Sequence, residues 1–255
     1  MDFRDHLDRR VVLENSPKRI VSLVPSQTEL LFDFGLREEV VGITKFCVHP
    51  NKWFRTKQRI GGTKQLHIDK IRELEPDLII ANKEENNRED IEELAKEYPV
   101  WVSDVKTLED ARKLITDIGD LVNQQESASH LLNEFDTQFQ KLKSLRTSGK
   151  KAIYLIWSNP NMVAGSDTFI SAMLDASGLE NAIKEERYPE LDSCDYDTPD
   201  LILLSSEPFP FKEKHVDEFR QMFPEAGVKI VDGEMFSWYG SRLLKAPDYL
   251  LNLFQ

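Results

Sequence analysis

The sequence contains few cysteines and no spacing that would bring them together. Cys47 and Cys194 are the two cysteines among 255 residues, and no CxxC pair occurs. Disulfide scaffolds and zinc knuckles need several cysteines at short intervals. We therefore expect two free thiols, without a disulfide framework or a structural zinc site.

Positive charge is also scarce, since 33 Lys and Arg face 45 Asp and Glu for a net charge of −12. Nucleic-acid binding requires basic side chains that displace condensed counterions, so nucleic acid and anionic membrane surfaces are excluded as partners. No apolar run reaches the roughly 18 residues of a membrane span, and residues 1–6 lack the apolar core of an export signal. We expect no stable membrane insertion. The sequence as it stands predicts a cytoplasmic protein, or a periplasmic one if a leading segment has been removed.

Sequence signatures of catalysis are missing as well. There is no P-loop, no HExxH, no GxSxG, and no GxGxxG after the first predicted strand. Glu84, Glu85 and Asp90 form an acidic stretch, which is typical of a solvated face. We predict a binding protein and not an enzyme, with no catalytic residue, no bound metal and no intrinsic cofactor.

What the sequence does contain is a regular alternation of strand and helix signals. Short apolar, β-branched runs lie at residues 19–25, 40–44, 77–81 and 100–104. Helical patterns lie between and after them, at residues 68–74, 91–98 and 108–122. Such alternation predicts a parallel sheet covered by helices. Ser26 and Glu29 form a capping box, which predicts that a helix begins there and ends at Gly35.

The same order begins again near residue 151. Strand signals lie at residues 152–157, 201–205 and 228–232, with a helical pattern at 167–177. Between the two halves, residues 127–145 carry apolar side chains at helical spacing, enough for a helix of roughly 30 Å. We predict an α/β fold with two Rossmann-like lobes, each with a central, mostly parallel sheet. The N-terminal lobe covers residues 1–123, a bridging helix 124–148, and the C-terminal lobe 149–255.

Ligands of such sheets bind beyond the carboxyl ends of the strands, so both lobes are expected to border one cleft. The helix that begins at Ser26 would point its N-terminus there and favour an anionic group, although Ser26 could serve only as a cap. The loop at residues 46–55 mixes aromatic and polar side chains, among them Phe46, His49 and Trp53. His49 could ligate a metal or make an ordinary loop hydrogen bond. This mixture is typical of a small-molecule pocket.

Two segments of the second lobe add aromatic side chains after strands. Trp157 and Met162 follow the first strand, and Trp157 could alternatively be a core residue. Residues 235–242 contain three aromatic residues and an arginine, including Trp238, Tyr239 and Arg242. This composition predicts a stacking surface with a cationic anchor.

Residues 19–29 read Arg-Ile-Val-Ser-Leu-Val-Pro-Ser-Gln-Thr-Glu. They resemble the Arg-Ile-Val-Ser-Leu-x-Pro-Ser-x-Thr-Glu opening of the substrate-binding proteins of ferric-siderophore, haem and cobalamin ABC transporters, the helical-backbone class. The resemblance is strongest to the cobalamin binders. Further matches at residues 61–63, 76–79, 165, 178 and 187–190 extend it over nearly the whole chain. It implies two lobes on a rigid helix that close modestly over a ligand.

The resemblance also implies roles for individual residues. Phe46, Met162 and Tyr188 fall where the family places aromatic or apolar side chains against the ligand, and Thr63 falls near a family Trp. The family docks on its permease through an acidic residue on each lobe, which corresponds here to Asp69 and Glu190.

Together these features predict a monomeric substrate-binding protein for a bulky metal chelate such as a corrinoid, haem or ferric siderophore, delivered to an ABC permease. Two alternatives remain open at this point. One is a cytoplasmic carrier, store or sensor of the same ligand. The other is an enzyme that uses a metal or tetrapyrrole on the same frame, for which His49 and Glu234 are the candidate ligands.

Overall fold

The computed structural model describes residues 1–145 and 149–254, and the chain divides into two compact units. The first unit comprises Met1–Asp104, Asp110–Leu132 and Tyr239–Ser241. The second comprises Val105–Glu109, Asn133–Trp238 and Arg242–Gln255. The units are thus not continuous stretches of chain, unlike the predicted lobes. That one helix bridges two lobes stays a prediction.

The first unit is built on a five-stranded parallel sheet in the order β5-β4-β3-β8-β9. An antiparallel hairpin of β1 and β2 precedes the sheet, and a small antiparallel pair is formed by β6 and β7. The strands are β1 Asp2–Arg4, β2 Arg10–Val12, β3 Ile20–Ser22, β4 Val40–Ile43, β5 Gln58–Arg59, β6 Gly61–Gly62, β7 Gln65–Leu66, β8 Leu78–Asn82 and β9 Val100–Ser103. The α-helices of residues 1–145 are α1 Pro25–Asp33, α2 Asn51–Thr56, α3 Ile68–Glu73, α4 Arg88–Leu94, α5 Leu108–Leu121 and α6 Gln125–Gln140, of which α5 and α6 have residues in both units.

The second unit has its own five-stranded sheet in the order β11-β10-β13-β14, with β12 also paired to β10. The pairs β10–β13, β13–β14 and β10–β12 are parallel, and β11 is antiparallel. The strands are β10 Lys150–Trp157, β11 Met162–Val163, β12 Leu179–Asn181, β13 Leu201–Ser205 and β14 Gly227–Val231. The helices are α7 Phe169–Ala176, α8 Glu213–Met222, α9 Glu234–Ser237 and α10 Ala246–Phe254.

The predicted α/β class with parallel sheets is confirmed. Its physical basis is the apolar, β-branched composition of the central strands, which are buried on both faces, as parallel strands must be. All three residues of β3 and all five of β8 and of β13 are buried. Each unit has its own apolar cluster around these strands, so each can bury a core by itself.

Two local predictions are wrong. The capping box does not form, because α1 begins at Pro25 with Val24 as its N-cap and without a side-chain cap. Proline has no N–H to satisfy and its φ suits the first helical position, so the helix begins one residue earlier than predicted. Residues 46–55 are not all loop, because α2 begins at Asn51.

The predicted long helix at residues 127–145 corresponds to α6, which is followed by a 3-10 turn at Lys141–Ser144. Residues 146–148, the end of the predicted bridging segment, lie outside the described residues. Of the helices in residues 1–145 and 149–254, none is both long enough and apolar enough to cross a membrane.

Candidate functional site

Four strands of the first unit end in buried polar residues. Ser22 ends β3, Asn82 ends β8, Ser103 ends β9, and Thr44 follows β4 directly. All four are almost fully buried. Because the strands are parallel, these side chains form one polar layer at the carboxyl edge of the sheet, where α/β proteins bind ligands. We refer to these four residues as the polar layer.

Cys47 is part of a buried cluster on one side of the polar layer. Its sulfur lies 3.1 Å from the Thr28 hydroxyl oxygen and 3.2 Å from that of Thr44. The Thr28 hydroxyl in turn lies 2.7 Å from that of Ser22. Burial raises the pKa of the Cys47 thiol to about 11, despite the lowering effect of these hydrogen bonds. Cys47 is therefore a structural thiol that anchors the start of the loop after β4.

This burial predicts a selective thiol reaction. Cys194 is partly exposed and Cys47 is buried, and both are free thiols, as predicted. In a native protein at pH 8, we expect Ellman's reagent to modify about one thiol per chain, rising to two in guanidinium chloride. The control is Cys194→Ser, which should leave no rapidly reacting native thiol. Rapid reaction of that variant would contradict the burial of Cys47.

On the other side of the polar layer, the side chains of Gln27 and Asn86 form hydrogen bonds to the strand ends and to the loops that follow them. Gln27 Nε2 donates to Ser103 Oγ at 2.5 Å, and Asn82 Nδ2 donates to the same oxygen at 3.0 Å. Asn86 Nδ2 donates to the carbonyl of Thr63 at 3.0 Å. The loops after β6 and β8 are thereby fixed to the sheet through hydrogen bonds, so the surface they form is preorganised.

Phe46 is the exposed aromatic residue of this surface. Its side chain is 50% exposed, with the Lys45 ammonium 5.0 Å from the ring centroid. The absence of a side chain at Gly62 lets the ring lie against the backbone, since a Cβ there would be 3.1 Å from Phe46 Cε2. His49 and Thr63 are half-buried nearby in sequence. Trp53, in contrast, is buried and packs edge-on against Phe32 at 5.3 Å.

The acidic stretch after β8 is not simply a solvated face. Glu84, Glu85 and Asp90 are all half-buried. The Tyr239 hydroxyl donates to Glu85 Oε1 at 3.3 Å within the first unit. Tyr239 itself is buried. The structure therefore brings two sequence features together, the acidic stretch and the aromatic segment near the C-terminus, that are 154 residues apart.

The loop surface of the second unit contains Trp157, Met162 and Glu190. Trp157 pairs with Met162 across β10 and β11, and Met162 forms a β-bridge with Glu190. Trp157 is 41% exposed and packs edge-on against Phe209 at 5.7 Å. Tyr188 is half-buried. Trp157 is thus not a core residue, and its ring is available on the surface at the carboxyl end of β10.

Glu207, which the sequence did not single out, is the centre of a buried polar cluster in this unit. Its Oε1 accepts a hydrogen bond from Trp238 Nε1 at 2.8 Å and another from the Ser237 hydroxyl at 2.9 Å. Burial raises the pKa of Glu207, and the negative charges of Glu234 and Asp232 add to this effect. Its position two residues after β13 is the signal that could have identified it, because the other predicted site residues follow strands in the same way.

Arg242 contacts two side chains of the same unit, Glu234 and Trp238. Its Nη1 lies 2.7 Å from Glu234 Oε2, and its guanidinium carbon lies 4.9 Å from the Trp238 ring centroid. Trp238 and Arg242 are both buried. Trp238, Arg242 and Glu234 therefore pack together in the folded unit, and contact of Trp238 or Arg242 with a ligand stays a prediction.

The raised pKa of Glu207 predicts a pH-dependent effect of Glu207→Gln. A carboxyl group with a folded-state pKa above its unfolded value stabilises the fold below the unfolded pKa and loses this contribution as pH rises through the folded pKa. The variant should therefore gain stability over the wild type towards pH 7.5, and the gain should vanish near pH 4. Thermal unfolding at both pH values measures this difference. Ser177→Ala, which removes a buried hydroxyl that donates to the Met173 carbonyl, should show a difference independent of pH. A pH-independent effect of Glu207→Gln would contradict the assignment.

The two predicted docking residues are both exposed. Asp69 lies in the first turn of α3 and its side chain is 94% exposed, with Arg72 Nη1 3.5 Å away. Glu190 is exposed at the end of the 187–190 segment. Across residues 1–145 and 149–254, no group of three or more His, Cys, Asp or Glu side chains is arranged to hold a metal ion.

Comparison with known proteins gives a family match over most of the chain. The model of the family described as "Periplasmic binding protein" matches residues 20–223. This range contains most of both sheets and every predicted site residue except Glu234, Trp238, Tyr239 and Arg242.

Individual relatives are distant but cover long parts of the chain. An ABC transporter substrate-binding lipoprotein of Bacillus subtilis, YvrC, is 26% identical over 192 residues, covering 71% of this chain and 60% of that protein. A vitamin B12-binding protein of Pectobacterium carotovorum is 24% identical over 243 residues, covering 92% and 87%. The crystal structure of S. aureus IsdE complexed with haem superposes with a TM-score of 0.78 at 20% identity, covering 92% of this chain and 98% of that one. At this identity the superposition establishes the fold.

Proposed function

Because the chain belongs to the periplasmic binding protein family, we propose that it is an ABC-type substrate-binding protein that captures a bulky metal chelate, such as a corrinoid, haem or ferric siderophore. The ligand would contact loops at the carboxyl ends of the parallel strands. The chain would hold and release this ligand without altering it. The relatives with ligands in their names bind vitamin B12 and haem, which supports this ligand class.

The observation that carries the proposal is the exposure of Phe46 and Trp157 on these loops. Each is a large aromatic side chain, 50% and 41% exposed, in a chain whose other tryptophans are buried. Aromatic faces provide apolar contact area with little loss of side-chain freedom, and planar macrocycles present matching apolar faces. The Phe46 N–H donates to the buried Thr44 hydroxyl at 3.3 Å, which fixes the backbone that carries the ring.

A thermal-shift titration with cobalamin, cobinamide, haem and several ferric siderophores tests the proposal. A ligand at 100 times its dissociation constant stabilises the folded state by about 2.7 kcal/mol, which raises the unfolding temperature by several degrees. We expect at least one of these chelates to give a saturable shift. A folded protein that responds to none of them would contradict the proposed ligand class.

Substitution of either exposed aromatic residue should weaken binding. We expect Phe46→Ala and Trp157→Ala each to raise the dissociation constant of the chelate about tenfold or more, because a stacked ring contributes about 0.5–1.5 kcal/mol in addition to the apolar area that it buries. Tyr196→Ala is the matched control, since Tyr196 is 42% exposed but packs near Phe223, the residue after α8. Equal affinities for all three variants would contradict a role for these loops.

We further propose that Asp69 and Glu190 contact the permease. Both are exposed carboxylates on different units, and neither is needed for packing. Charge reversal to Lys at either position should therefore reduce transport by the cognate permease. Asp69→Lys changes a residue of α3 and should leave ligand affinity unchanged. Unchanged transport with Asp69→Lys and Glu190→Lys combined would contradict this docking proposal.

A further inference from the structure

The N-terminus of α1 has donors without acceptors inside the helix. Pro25 occupies the first helical position and has no N–H, and Thr28 N–H closes the first turn on the Val24 carbonyl at 2.9 Å. The N–H groups of Ser26 and Gln27 therefore have no acceptor within the helix. Val24 provides no side-chain cap. A nine-residue helix with an uncapped N-terminus concentrates positive partial charge at this turn.

Two buried hydroxyl groups at the same turn also have no partner. Ser26 is 4% exposed and Ser241 is 7% exposed, and neither Oγ makes a hydrogen bond within the described part of the chain. Ser241 directly follows Gly240, which packs on this turn: a Cβ on Gly240 would lie 3.3 Å from Ser26 O and 3.4 Å from Leu30 Cβ. Native proteins rarely leave buried hydroxyl groups unsatisfied, so a pair of them beside two orphan amides calls for an acceptor from outside the chain.

We propose that this turn is an oxyanion subsite that binds a carboxylate or phosphate group of the ligand. The donors are the N–H groups of Ser26 and Gln27 and the hydroxyl groups of Ser26 and Ser241. An oxygen-rich anion offers several lone pairs and suits the positive end of a helix. The inference rests on the proposed function and deepens it, because it restricts the ligand to chelates that carry such a group.

The charges near the turn set how strongly it binds an isolated anion. All four donors are neutral, and the Tyr239 hydroxyl beside them already donates to Glu85. The subsite therefore has no cationic side chain among its donors, and it should hold a small anion weakly. The remaining affinity for a whole ligand comes from its contacts elsewhere.

Titration with inorganic phosphate and with succinate tests the subsite directly. At constant ionic strength, we expect saturable changes in the ¹⁵N–¹H amide signals of Ser26 and Gln27, which sodium chloride does not reproduce. Ser26→Ala and Ser241→Ala should each raise the apparent dissociation constant at least fivefold. Ser177→Ala is the control, since Ser177 is equally buried but donates to the Met173 carbonyl at 2.7 Å.

The unfolding temperatures of the same variants, measured without added phosphate or succinate, test the subsite in a second way. Because alanine removes a buried hydroxyl that has no partner, Ser26→Ala and Ser241→Ala should unfold at the same temperature as the wild type or higher. Ser177→Ala should unfold at a lower temperature, because it loses the hydrogen bond to the Met173 carbonyl. Lower unfolding temperatures for both subsite variants, or amide shifts that chloride reproduces, would overturn the subsite.

The chelate panel separates the failure of the subsite from the failure of the proposed function. A chelate that binds the wild type and Ser241→Ala equally overturns the subsite and leaves the substrate-binding role in place. Specific phosphate shifts in a protein that binds none of the chelates support the subsite and overturn the proposed ligand class. Haem and its dimethyl ester form a matched pair for this comparison, because the ester lacks the two carboxylates.

Discussion

Asp5→Ala is expected to lower the free energy of unfolding of the first unit by about 3 kcal/mol, the lower end of the range for breaking a buried ion pair. The Asp5 side chain is fully buried, and its Oδ2 accepts from Arg9 Nε at 2.7 Å and from Val102 N at 3.3 Å. Its Oδ1 accepts from the Leu7 and Arg9 amides at 2.9 Å. One carboxylate thus fixes the turn between β1 and β2 and attaches it to β9, which is an edge strand.

Amide hydrogen exchange measures this effect where it arises. Loss of Asp5 leaves the Val102 N–H without an acceptor, so protection of β9 should fall with the stability of the unit. Asp2→Ala is the matched control, because Asp2 pairs with Arg10 in the same hairpin but on the exposed surface. Surface ion pairs contribute little, so this variant should be indistinguishable from the wild type. Equal protection in Asp5→Ala and Asp2→Ala would contradict the role of Asp5.

Gly61→Ala should destabilise the first unit by about 3 kcal/mol for two separate reasons. Gly61 has a φ of +106°, which an alanine adopts only at a conformational cost of about 1 kcal/mol or more. A Cβ there would also overlap the Gln65 carbonyl and lie 3.0 Å from His67 N, and relief of such overlap costs about 1–3 kcal/mol. Because the Gly61 carbonyl accepts from Lys45 N–H at 2.8 Å, the shift should also displace Phe46.

Gly35→Ala isolates the conformational part of this cost. Gly35 has a φ of +91°, and a Cβ there would meet no atom within 4 Å. We expect this variant to lose about 1 kcal/mol and to bind the ligand as the wild type does. Calorimetry on both variants resolves the difference, since 1 kcal/mol corresponds to about 2–4 °C in a protein of this size. Equal unfolding temperatures would contradict the overlap at Gly61.

Most strands could be predicted from the sequence because each is an apolar run that parallel pairing buries on both faces. The strand predicted at residues 201–205 is β13 without any shift, and β4 differs by one residue. The hairpin of β1 and β2 was not predicted. Its strands have three residues each and alternate around one buried or half-buried position. Its stability depends on Asp5 and on β9, about 97 residues away, which no local pattern reveals.

The start of α1 shows how one local signal can override another. Ser26 and Glu29 have the spacing of a capping box, but Pro25 before them already suits the first helical position. The helix therefore begins at Pro25, and Ser26 is left buried without a capping role. Similarly, α2 has six residues and carries Trp53 into the core, and such short helices depend on tertiary packing rather than on their own sequence.

The candidate site was only partly predictable. Phe46, Trp157 and Met162 could be proposed as candidates because each lies at or beyond the end of a predicted strand, where parallel sheets bind ligands. The polar layer could not, because a single Ser, Thr or Asn at the end of an apolar run resembles an ordinary strand boundary. These residues become a layer only when four strands align in parallel. The ion pair that engages Arg242 was also hidden, since the sequence does not show which carboxylate the arginine contacts.

Equilibrium dialysis of the chain against the chelate that gives the largest thermal shift, followed by chromatography of the recovered ligand, is the most direct test of the binding role. We expect saturation at about one ligand per chain and recovery of the ligand chemically unchanged. Conversion of more than one equivalent of the ligand into a different product would contradict a binding protein and would identify an enzyme on the same fold.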